Sequence, residues 1–240
     1  MVNKIKIAGQ KSKAFVCLAI FLLIVILNLY VFVGRASRDE HDITVVVDAG
    51  HGGMDPGKVS ASGINEKDVN LSIAIFLKEM LEKEGINVVM TRENDNSLCT
   101  EGASNKKSSD MNNRIEKINE ANADCLISIH QNSFTDTSVS GAQVFYYSES
   151  QEAKKLAEEI QETIKNDVSP ENNRSIKSGN DYFILRKSVC PGVIVECGFL
   201  SNKEETAKLI DKGYQQRIAK AIAKAVCQVY KNDKKIKNKK

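Results

Sequence analysis

The sequence contains no CxxC pair, no HExxH and no internal repeat, and only three of its 240 residues are histidine. Without HExxH, any metal site must be assembled from segments far apart in the chain. Without a repeat, an appended module or a long linker, the chain reads as one domain on a tether. The six cysteines, Cys17, Cys99, Cys125, Cys190, Cys197 and Cys227, form no close pair. Cys17 lies in an apolar run and lacks a lipoprotein-type context, which leaves five, and an odd count is a poor disulfide framework. Cys125, Cys197 and Cys227 sit in apolar patterns and read as small core hydrophobes. Free thiols suggest a compartment that is not strongly oxidising.

Acidic residues are absent from residues 1–36, which hold five Lys/Arg. The tail 231–240 holds six Lys against one Asp, so residues 37–230 keep 23 basic and 30 acidic side chains, a net of −7. A mildly acidic body argues against a nucleic-acid partner. The tail KNDKKIKNKK reads as a solvated, frayed end.

Residues 1–13 are polar and basic, and residues 14–33, AFVCLAIFLLIVILNLYVFV, carry no charge. As a helix rising ~1.5 Å per residue, this run spans the ~30 Å hydrocarbon core of a bilayer. The preceding lysines hold the N-terminus in the cytoplasm and send the rest outward. Gly34-Arg35-Ala36 also resembles a signal-peptide cleavage site. The apolar run exceeds the usual ~7–15 residues of a signal peptide, which favours a retained anchor.

After a charged linker, 34–42, strand and helix patterns alternate. Residues 43–47 are continuous and β-branched, as in a strand buried on both faces. Residues 66–84 form an apolar stripe through Val69, Ile73, Leu77 and Leu81, with Gly85 as the stop. Further strands are expected at 86–91, 124–130, 142–147, 182–186 and 192–197. Helices are expected at 108–122, at 149–166 behind a Ser148/Gln151 capping box, and at 203–230. This alternation predicts a single α/β domain over 43–230, its largely parallel, mixed sheet covered by helices on both faces.

Three chemistry-bearing residues then fall at strand ends. His51 sits in the Gly-rich turn of VVVDAGHGG, His130 closes LISIH, and Glu196 closes GVIVE. In open α/β sheets the functional crevice lies beyond the carboxyl ends of the strands. Glu66 opens the helix returning from that edge. Two His and one Glu are a common catalytic zinc set, with a fourth position for water. The spacing alone does not decide for zinc, and Glu66 alone also fits an ordinary first-turn acid favoured by the helix dipole. Glu196 interrupts an apolar run, where an unpaired carboxylate costs several kcal/mol, on the order of the usual burial penalty. Such a residue needs a metal, a base partner or another role, and Glu196 is the candidate for the carboxylate that carries the proton. His41, in the linker, reads as inert.

The segments DAGHGGMDPG, GINEKDVNLSIA, TREND, ADCLISIHQNS and PGVIVECGFLSNKEE occur in this order between about residues 43 and 230. They resemble the signatures of the zinc-dependent N-acetylmuramoyl-L-alanine amidases of the amidase-3 type. The resemblance implies that His51, Glu66 and His130 bind one Zn2+ and that Glu196 is the catalytic carboxylate. It gives Asp48, Asn132 and Arg92 supporting roles around the site, and Ser201 and Asn202 the capping of the next helix. Related motifs often read DPGHGG where this chain has DAGHGG, a change that spares the ligand.

The reaction implied is hydrolysis of the amide joining N-acetylmuramic acid to L-alanine in peptidoglycan. A short domain on an N-terminal anchor resembles the germination-specific spore-cortex amidases. That kinship implies a membrane-anchored enzyme facing the space around the forespore. It also implies muramic-δ-lactam formation completed by a separate peptidoglycan deacetylase, and an accessory sporulation lipoprotein supporting zinc binding. Rival readings are a vegetative-wall amidase, a zinc carboxypeptidase acting within the stem peptide, and an inactive wall-binding or partner-recruiting domain.

Overall fold

The computed structural model describes residues 43–237, with side chains through residue 231. The expected anchor and linker lie outside the described residues. None of the described helices is long and apolar enough to cross a membrane.

Six strands form one sheet: β1 (Thr44–Ala49), β2 (Asn87–Met90), β3 (Cys125–Asn132), β4 (Gln143–Tyr146), β5 (Lys177–Ser178) and β6 (Gly192–Phe199). Their order across the sheet is β2-β1-β3-β6-β4-β5. β1 pairs in parallel with β2 and β3, and β3 with β6, while β4 runs antiparallel to β6. Six helices accompany it: α1 (Glu66–Lys83), α2 (Lys106–Glu120), α3 (Gln151–Asp167), α4 (Phe183–Lys187), α5 (Lys203–Leu209) and α6 (Lys212–Lys237).

Successive side chains of a strand point to opposite faces, so each central strand feeds two cores. Val45, Val47, Ile127, Ile129, Val193 and Val195 pack in the larger core with α1, α3 and α6. Val46, Leu126 and Ile194 face a smaller core built with Ile118 of α2 and Ile184 and Leu185 of α4. Asp48, Ser128, His130 and Glu196 share the parity of the smaller core. Strand alternation therefore places the polar groups on that face.

Helix ends follow local chemistry, with two departures from expectation. α1 stops at Gly85, whose φ of +72° lets Gly85 and Ile86 donate back to the carbonyls of Glu82 and Leu81. α3 is capped by Ser150, whose hydroxyl accepts from the Ala153 amide, and not by the expected Ser148 box. Ser148 Oγ turns to Glu149 instead. Asn202 caps α5 by accepting from Glu204 and Glu205, whereas Ser201 accepts from the Phe134 amide.

Residues 182–186, expected as a strand, form the cap and body of α4. A strand would send Ile184 and Leu185 to opposite faces, but both are buried in the smaller core while Phe183 stays 36% exposed. An apolar run as short as residues 182–185 does not distinguish these periods. The expected frayed tail is helical through Lys237. Lysine is a good helix former, and no Gly or Pro interrupts it. Lys231 is anchored at 2.8 Å on Glu84. The five described cysteines are free thiols.

Candidate active site

At the end of β1 the chain turns sharply through Gly50 and His51. A side chain at position 50 would put its Cβ 2.3 Å from the His130 ring, so only glycine lets the two segments meet. His51 has φ +62°, a left-handed conformation costing a non-glycine residue about 1–3 kcal/mol. Two arginines hold it there. Arg92 donates to the carbonyls of Ala49 at 2.9 Å and Gly50 at 3.0 Å, and Arg114 to those of Ala49 and His51 at 3.0 Å each.

Glu66 is buried at the first position of α1, in the turn where an acid meets the positive end of the helix dipole. Its carboxylate accepts from the backbone amides of Lys58 at 2.8 Å and Gln131 at 3.1 Å. Glu66 Oε2 lies 3.2 Å from His51 Nε2, and Oε1 lies 2.9 Å from His130 Nδ1. The two imidazoles meet edge to face, centroids 5.0 Å apart. One donor atom from each of the three residues falls within 4.8 Å of the others. Burial alone would raise the Glu66 pKa, but the two histidines drive it far below the carboxylate range. Burial alone would lower that of His51, but Glu66 and Asp55 carry it above its ordinary value. Asp55 lies 2.9 Å from His51 Nδ1 and fixes the ring with Nε2 toward Glu66.

Glu196 stands directly beside His130, because β3 and β6 pair in parallel with these two residues in register. It is only 7% exposed, and its Oε2 is one of two buried side-chain oxygens among the described residues without a hydrogen-bond partner, Gln131 Oε1 being the other. Burial pushes its carboxyl up to about 7, with the negative Glu66 adding to the rise and the histidines opposing it. A buried carboxylate with a free oxygen beside two imidazoles and a second carboxylate suits a metal centre with an adjacent proton carrier.

The remaining expected residues lie around this group. Asp48 is fully buried and accepts from Ser128 at 2.6 Å, Thr91 at 2.8 Å and Arg114. Burial opposes its ionisation, yet Arg114 holds its carboxyl at about 2. The hydrogen bonds of Asn132 lie elsewhere: its side chain accepts from the Ser133 amide and its carbonyl from the Leu200 amide, shaping the end of β3. Sequence reasoning missed Arg114, Asp55 and Tyr182. Arg114 sits in a polar helix whose pattern promises exposure, and Asp55 looks like a turn residue of MDPG. Tyr182, stacked edge-on against Phe145 at 5.4 Å, lines the cavity beside both histidines.

Comparison with known proteins agrees with this architecture. The family model described as N-acetylmuramoyl-L-alanine amidase matches residues 45–228. The germination-specific N-acetylmuramoyl-L-alanine amidase of Bacillus subtilis (strain 168) is 35% identical over 189 residues, covering 78% of this chain and 79% of that protein. The CwlD amidase of Clostridioides difficile, solved in complex with the GerS lipoprotein, superposes with a TM-score of 0.76 at 40% identity, covering 78% of this chain and 98% of that one. An N-acetylmuramoyl-L-alanine amidase from Clostridium difficile 630 gives 0.70 at 32% identity, covering 79% and 97%. The chain therefore belongs to the N-acetylmuramoyl-L-alanine amidase family and is a peptidoglycan hydrolase of that activity.

Proposed function

We propose that the amidase depends on one Zn2+ held by His51, Glu66 and His130, with Glu196 as the catalytic carboxylate. The observation that carries this reading is the pairing of His130 with Glu196 across β3 and β6, which sets an unpartnered buried oxygen beside three converging donors. Two imidazoles and a carboxylate suit zinc among the common divalent metals. Bound there, zinc supplies a Lewis acid for the amide carbonyl and lowers the pKa of water.

The chain's own residues do the rest. Glu196 takes a proton from the attacking water and returns it to the nitrogen of the departing L-alanine. Burial favours the protonated carboxyl, which helps Glu196 hold the proton between the two transfers. Asp55 orients His51, and Arg92 and Arg114 keep the turn that presents it. Asp48 neutralises Arg114 beneath the site.

The proposed setting is spore-cortex maturation, supported by the germination-specific B. subtilis relative. In that setting residues 14–33 anchor the enzyme in the membrane with its catalytic domain outside. Product strands then pass to a separate deacetylase on the way to muramic-δ-lactam. An accessory lipoprotein that supports zinc binding is part of the proposal, because CwlD was solved with GerS.

Mass spectrometry of muropeptides treated with the zinc-loaded protein tests the reaction. Intact stem peptides beginning with L-alanine are the expected products, and Glu196→Gln is expected to lose about 100-fold or more in rate while still binding zinc. Full activity in that variant would sink the assignment of Glu196.

A further inference from the structure

Beside the two histidines a cavity of about 450 Å3 opens toward α2 and α4, with Met111, Ile184 and Ile194 among its apolar walls. Its acids are committed. Asp48 and Asp110 pair with Arg114, and Asp55 with His51. Its two lysines are not: Lys106 and Lys107 are exposed and enter no ion pair among the described residues. Lys106 Nζ lies 3.7 Å from the sulfur of Met54, three residues beyond His51, and Lys107 lines the same cavity as Asp55. Both lysines occupy the first turn of α2, which contains no acid. The helix dipole disfavours cations there by roughly 0.3–1 kcal/mol each. Breaking a local rule beside a catalytic centre is the pattern expected of functional residues.

We propose that this cavity receives the stem peptide and that Lys106 and Lys107 bind a carboxylate carried on the peptide side of the scissile amide. The inference rests on the amidase reading of the adjacent centre. A glycan strand is a continuous polymer and must cross a site in an open groove. The peptide is a pendant chain that can enter a cavity of this size. Apolar walls suit alanine side chains, and surplus positive charge at the rim suits an acidic residue next to alanine.

The test compares two muramoyl-L-alanyl peptides that differ only in whether the residue after alanine carries a free or an amidated α-carboxylate. Zinc-loaded full-length protein is expected to favour the free acid by about tenfold in kcat/KM, mainly through KM, as for a charge-assisted hydrogen bond at an exposed rim. The double variant Lys106→Ala/Lys107→Ala is expected to cleave both substrates at the rate the unmodified enzyme shows for the amide. The preference should also shrink in about 0.5 M salt, as screening requires. A preference retained in the double variant, or none in the parent enzyme, overturns the lysine site while leaving the amidase reading intact. If neither enzyme cleaves either substrate, both readings fall together.

Discussion

At the scale of single residues, Glu196 sets activity against stability. Its folded pKa of about 7 lies above the ordinary 4.5, so the group is neutral at low pH and carries no charge-burial penalty there. Between about pH 4.5 and 7 the unfolded chain ionises this carboxyl while the folded protein keeps it protonated, so a penalty of about 3 kcal/mol builds up and persists at higher pH. In the metal-free protein Glu196→Gln should therefore be the more stable form at pH 8, with the difference closing below about pH 4.5. Urea denaturation of both forms at the two pH values checks this, and equal midpoints throughout would refute it. Glu196 and His130 were legible in the sequence because each follows an apolar stretch, where a polar side chain needs a reason, although β3 and β6 run on past them to Asn132 and Phe199. Arg114 was not, because its burial depends on Asp48, 66 positions earlier, and helix periodicity carries no trace of that partner.

Secondary-structure elements show where local rules suffice. β1, β3, β6 and α1 follow from their patterns within a few residues, because long runs of one period leave no alternative. The cap of α3 tests how finely such rules read. Ser148 and Ser150 both precede the helix, yet only Ser150 accepts from a helical amide. Ser150→Ala is expected to cost about 1 kcal/mol and Ser148→Ala almost nothing, measurable as denaturation midpoints. The opposite ranking would show that the helix starts where the sequence rule put it. α4 and β5 were illegible for a different reason. Each is so short that its neighbours decide its form: Ile184 and Leu185 are drawn together into one core, and Lys177–Ser178 simply continue β4's edge.

For the molecule as a whole, the proposed zinc links folding to pH and metal supply. His51 without metal holds its proton more tightly than an ordinary imidazole, and zinc must displace that proton. Apparent zinc affinity should thus be weaker at pH 6 than at pH 8. Chelation should remove stabilisation of about 4 kcal/mol where free zinc stands a thousandfold above its dissociation constant. Competition titration with a chromogenic chelator and thermal melting measure the two effects; affinity unchanged across that range would contradict the linkage.

The two-sided sheet carries a further consequence, for how such a molecule can diverge. Three helices cover the larger core, while α2 and α4, bordering the cavity, rest on the smaller one. Within that thinner layer Arg114 and Ile118 are buried and tie α2 to the sheet, whereas Lys106 and Lys107 are exposed. Substitution of the exposed cavity-side positions of α2 and α4 is therefore expected to spare the fold and the hydrolytic centre, so long as the buried Arg114 and Ile118 are kept.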